Sequence, residues 1–214
     1  MNESVKNYTG FFKNKHMEAF VKDATFMFDD GTCYWRQGTF ERGFVSKCVW
    51  YNGVWESGTW NNGTWINGEW NNGTWVNGEW WDGVWVDGVW TYGEWKTGDW
   101  FDGMWCNGVW NHGSWRNGIW NNGVWHKGYW NGGTWCNGTW NDGVWIDGTW
   151  MRGIWHNGIW ENGEWQYGKW ENGIWNDGTF YSGKFKNGIW KSGDWYQGAW
   201  FCGQCEKMNR VGYE

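Results

Sequence analysis

Residues 61–75 read NNGTWINGEWNNGTW: a glycine stands two residues before each tryptophan, and an asparagine precedes each glycine. The unit G-x-W-x-N/D recurs without a break. All thirty glycine slots from Gly53 to Gly198 are filled, and the thirty aromatic slots from Trp55 to Trp200 hold twenty-eight Trp plus Phe180 and Phe185. A period of five matches neither the 3.6-residue turn of a helix nor the two-residue alternation of a strand. It describes a chain of short edges joined by corners, and such arrays act as surfaces more often than as enzymes.

The local chemistry of the unit is specific. Nineteen of the thirty residues that precede a slot glycine are Asn or Asp. These types close local turns with their own side chains, and glycine accepts positive φ without a Cβ penalty. Each N/D-G step is therefore a bend. The residues flanking each Trp favour Thr, Val, Ile and Glu, mostly good strand formers. Asn-Gly between extended residues also signals hairpins, but a meander of three-residue strands fails on hydrogen-bond parity. Backbone groups point to alternate sides along a strand, so such a strand cannot offer its first residue to one neighbour and its third to the other. A chain that always turns the same way has no such conflict, and each edge bonds to those above and below at about 4.8 Å.

The sequence thus predicts an all-β, elongated β-solenoid of pentads with inward Trp ladders and capped ends. Inward is the required direction for the rings: thirty exposed indoles would present about 6,000 Å² of apolar surface, against a few hundred in ordinary monomers. The pairing of a bulky residue at the pentad centre with a small one two before it, as in Gly53/Trp55, Gly58/Trp60 and on to Gly198/Trp200, resembles the pentapeptide-repeat family. The resemblance covers about 150 residues and implies a quadrilateral coil of about 20 residues. Two features differ. The family's centre is usually Leu or Phe beside Ala, and its Asn/Asp preference falls just before the centre rather than two after. Four indoles per coil add ~100–150 Å³ over the usual filling, so the coil must be wider or its cross-section must differ. A weaker resemblance is to MORN repeats, whose strands and period are longer.

A 20-residue register places Ile66, Val84, Val86, Met104, Cys106, Val124, Val144 and Ile146 on one face with Thr64 and His126, as an apolar stripe suited to a protein partner. The same register stacks Trp81 on Phe101 and Tyr181 on Phe201 as candidate exposed aromatics. Residues 1–49 keep only fragments of the pattern and read as a degenerate N-terminal cap, with HMEAFVKDA as a short helix. Residues 50–201 form the pentad solenoid, and 202–214 a C-terminal cap or tail.

Composition narrows the function. There is no proline or leucine, and 31 tryptophans replace the usual aliphatic core. The net charge of −6 is dispersed, which argues against direct nucleic-acid binding. MNESVKNYTG has no basic segment followed by an apolar run, and no stretch approaches a membrane span, so the expected setting is cytoplasm or virion without membrane contact. Six cysteines lack the spacing of a secreted disulfide scaffold. His112, His126 and His156 occupy variable outward slots, the carboxylates are scattered, and no nucleophile elbow or phosphate loop occurs. No catalytic residue, metal ligand set or cofactor is assigned, and Cys202 and Cys205 supply only half of a zinc site. The expected function is a non-catalytic structural or protein-binding scaffold, self-associating as a homodimer or higher assembly or serving a virion or fibre. One alternative, implied by the resemblance, is a DNA-mimicking inhibitor of an enzyme such as a topoisomerase. Another is a carbohydrate- or ice-binding surface.

Overall fold

The structure is a computed structural model that describes residues 6–211. The described chain is all-β: three long strands, β1 (Lys6–Lys13), β2 (Met17–Asp29) and β3 (Thr32–Val45), precede thirty-three strands of two or three residues. No helix is long and apolar enough to cross a membrane. The chain divides into two compact units, Met1–Gly108 and Val109–Glu214.

Within the first unit the short strands pair in parallel with those fifteen residues on, as far as Trp90 beside Trp105. Trp50 lies beside Trp65, and Trp65 beside Trp80. Trp55 lies beside Trp70, and Trp60 beside Trp75. Three pentads therefore close each coil, and the cross-section is a triangle of fifteen residues rather than the quadrilateral of twenty. The rings explain the choice. Successive indoles such as Trp65, Trp70 and Trp75 meet edge to face with centroids 6.0 Å apart and planes 73–74° apart. Three rings so arranged fill the axis. Four at the same spacing would hold opposite centroids about 8.5 Å apart, outside the 4.5–7 Å of aromatic contact, and leave a void. Along the axis each indole stacks on the next coil, Trp65 on Trp80 at 4.8 Å and 6°. That spacing is the rise that a parallel strand pair imposes.

The corners obey the same geometry. Gly68 has φ of +133°, and a Cβ there would lie 2.4 Å from the carbonyl oxygen of Gly53 in the coil before. That carbonyl accepts from the Glu69 N–H at 3.0 Å, while the Trp50 carbonyl accepts from Ile66 N–H at 2.7 Å. Each pentad thus gives two rungs to the ladder. Asn67 Oδ1 accepts from the Gly68 N–H at 2.8 Å, and Asp82 does the same for Gly83, so the residue before the glycine closes its own bend.

The unit begins with a coil of different filling. β3 bends around all three sides, pairing Trp35 with Trp50, Phe40 with Trp55 and Val45 with Trp60. β2 runs antiparallel along it, and β1 antiparallel along β2. The segment HMEAFVKDA forms no helix: His16 is a bend, and the residues from Met17 to Ala24 lie in β2. Met17, Ala19 and Val21 are buried while Glu18, Phe20 and Lys22 are exposed, the two-residue alternation of a strand covering a core.

The second unit repeats the rule through twenty-one short strands, or seven coils. Phe180 and Phe185 are buried in the indole columns. Residues 202–211 continue the coil: Gly203 keeps a φ of +118°, Cys205 pairs with Trp190, and Arg210 pairs with Trp195.

Of the 31 tryptophans only Trp81, 48% exposed, and Trp200 are outside the buried core. Iodide is therefore expected to quench a small part of the tryptophan emission of the folded protein. Quenching of most of it would contradict the inward placement.

Candidate functional site

Outward side chains stack in columns at fifteen-residue intervals, and this register redistributes the residues of the expected stripe. In the first unit Ile66 follows Trp65 on one side, and Val84 and Val86 flank Trp85 on the second. Met104 and Cys106 flank Trp105 on the third. Val84 has Glu69 and Asp99 as its neighbours in the ladder, which breaks any apolar run there. In the second unit Val124 lies between Val109 and Thr139, on a different side from Val144 and Ile146. The eight residues form no single stripe.

The aromatic pairs change in the same way. Trp81 follows Trp80, whose partners are Trp65 and Trp95; Phe101 follows Trp100, whose partner is Trp85. They lie on different sides. Trp81 Nε1 donates to Glu79 at 3.3 Å. Tyr181 stacks on Tyr196 at 5.0 Å, not on Phe201, which is 63% exposed beyond Trp200.

Two columns of the second unit emerge in place of the stripe. Val144, Ile159, Ile174 and Ile189 are consecutive partners, four β-branched side chains in one part-exposed ladder headed by Tyr129. Such residues pack well on a pleated surface. At a corner, Asp142, Asn157, Asn172 and Asn187 form an amide ladder, each Asn donating to the residue before it in the column at 3.2–3.4 Å. Both columns are written in the sequence at intervals of fifteen and go unseen at intervals of twenty.

Charge is grouped by the same stacking. Lys169 and Lys184 are direct partners. Glu171 is bonded to Lys169, lies 3.6 Å from Lys186 and 3.7 Å from His156. The Lys169 contact and the neighbouring cations hold its carboxyl below the usual range, and Glu171 in turn raises the Lys169 ammonium. In the first unit Glu79 stacks over Glu94, with Thr64 on the rung before Glu79 and Lys96 bonded to Glu94 at 2.5 Å. Thr134 stacks over Thr149, and Glu164 follows, so the threonine run stops at two.

The cysteines occupy contrasting environments. Cys33 and Cys48 are buried partners in the first coils, and burial together with the Cys33 contact pushes the Cys48 thiol well up. Cys202 and Cys205 are exposed. Among the described residues, no three His, Cys, Asp or Glu side chains converge to hold a metal.

No known family model matches the chain, and no curated protein matches it.

Proposed function

We propose that the protein is a non-catalytic repeat scaffold that presents ladders of side chains to protein surfaces, in the first instance to a second copy of itself. The observation that carries this reading is the ladder Val144–Ile159–Ile174–Ile189, a flat apolar strip on a rigid parallel backbone. A solenoid supplies flatness and constant spacing, and a strip of β-branched side chains on it is a surface that gains by losing water. The pentad logic is akin to that of pentapeptide repeats, adapted to a three-sided coil by the size of the indole. DNA mimicry is less well supported, since the acidic columns are short and the Lys169–Lys184 column is basic.

The test is the mass of the full chain in solution. The wild-type protein is expected to sediment as a dimer or larger species at micromolar concentration. Ile159→Lys with Ile174→Lys is expected to return it to a monomer with unchanged circular dichroism. These side chains point away from the indoles, and like charges stacked on a rung oppose pairing at a cost of roughly 0.2–1 kcal/mol, too little to unfold the coil. A monomeric wild-type protein, or a double variant that still assembles, would reject self-association through this strip.

A further inference from the structure

A groove of about 340 Å³ opens at one corner of the second unit, lined by Asn137, Arg152, Tyr167, Lys169 and Lys184 together with corner glycines. Its charge is unlike that of the chain. The protein as a whole carries −6, yet three cations, Arg152, Lys169 and Lys184, line the groove, and among the described residues the one carboxylate that reaches any of them is Glu171, at Lys169. That carboxylate engages Lys169 and Lys186. Among the described residues, no ion pair satisfies Arg152 or Lys184. Lys169 and Lys184 are also direct partners on adjacent coils, an arrangement of like charges that disfavours the ladder and that Glu171 offsets at Lys169 alone. Tyr167, 59% exposed, contributes an aromatic face to the same groove.

We propose that this corner binds an oxyanion ester, a phosphoryl or sulfuryl group carried on a ring. The guanidinium of Arg152 offers paired N–H donors matched to a tetrahedral oxyanion. The ammonium groups of Lys169 and Lys184 supply the charge, and Asn137 an amide. The ring of the ligand lies against Tyr167, and the lysine stems complete an apolar wall. The volume falls in the range of small-ligand sites, about 300–1,000 Å³. A nucleotide and a sulfated sugar share this chemistry. The proposal does not depend on the apolar ladder.

The experiment is calorimetric titration of the full chain at low ionic strength with inorganic phosphate, adenosine monophosphate and N-acetylglucosamine 6-sulfate. At least one ester is expected to bind more tightly than inorganic phosphate, and which one binds identifies the source. Arg152→Gln with Lys184→Gln should weaken that binding at least tenfold, whereas Lys191→Gln, an exposed lysine outside the groove, should leave it unchanged. Both groove residues are exposed, so the double variant retains the fold, and its circular dichroism verifies this. No binding of any probe, or binding undiminished in the double variant, overturns the proposal. Phosphate bound as tightly as both esters overturns the role given to Tyr167.

Discussion

Gly158→Ala is expected to destabilise the second unit by at least ~3 kcal/mol, measured as a fall in the urea midpoint of the intact chain. Gly158 is buried with a φ of +125°. A Cβ at this corner would stand 2.5 Å from the Gly143 carbonyl oxygen and 3.2 Å from Cζ2 of Trp155. The first contact is with backbone already committed to the ladder, because the Ile159 N–H donates to that carbonyl at 2.9 Å. Neither partner can yield without breaking a rung, and alanine is strained at this φ in any case. Gly132→Ala makes the matching control with the opposite sign. Gly132 fills an Asn/Asp position, lacks a positive φ, and a Cβ there meets only the Arg116 carbonyl at an ordinary 3.6 Å. Alanine there should be neutral or stabilise by up to about 1 kcal/mol, through the lower entropy of the unfolded chain. Equal losses from the two substitutions would contradict the account of the corners.

Trp155→Ala is expected to cost about 3–5 kcal/mol, and Trp155→Phe much less. The indole stacks on Trp140 at 4.7 Å and on Trp170 at 4.8 Å, with Trp150 and Trp160 edge-on at 6.0 and 5.9 Å. Alanine removes the contact with all four rings and leaves a cavity walled by rigid coils that cannot collapse. Phenylalanine already occupies this position at Phe180 and Phe185. Phe185 lies 5.4 Å from Trp170 and 4.3 Å from Trp200, so the column absorbs a smaller ring by an uneven shift. Nor does the exchange at Trp155 break a hydrogen bond. Trp165, Trp170 and Trp190 donate Nε1–H to the carbonyls of Ser182, Asn187 and Lys207 at 3.0–3.1 Å, whereas the Trp155 N–H reaches no acceptor. Urea midpoints that fall equally for the two variants would show that ring stacking does not set the stability of the column.

These two results probe the part of the fold that local chemistry dictates. The bend at each N/D-G step, the inward indole and the parallel coil all follow from backbone limits and from the cost of exposing so much aromatic surface. The number of sides does not. A pentad such as Gly68–Asn72 reads the same in a triangle as in a square, and only the contact geometry of the rings around the axis separates them. A clue was nonetheless present: Val144, Ile159, Ile174 and Ile189 recur at fifteen. Against a background in which Val, Ile and Thr fill many such positions, that recurrence is faint. β2 was obscured differently. Met, Glu and Ala in HMEAFVKDA favour a helix by propensity, while burial of Met17, Ala19 and Val21 follows a period of two imposed by the coil beneath. The groove at Arg152 and Lys184 joins residues thirty-two apart, and no sequence pattern places them together until the coil length is known.

A chain of near-identical pentads can slide past itself by five residues and still set glycine over glycine and indole over indole. What forbids the slip is β3, where Trp35, Phe40 and Val45 present three unequal fillings to the three sides. Met17, Ala19 and Val21 of β2 cover that coil and no other. The irregular end thus acts as the origin of the count: it fixes the phase that the monotonous pentads of its unit inherit and could not choose for themselves.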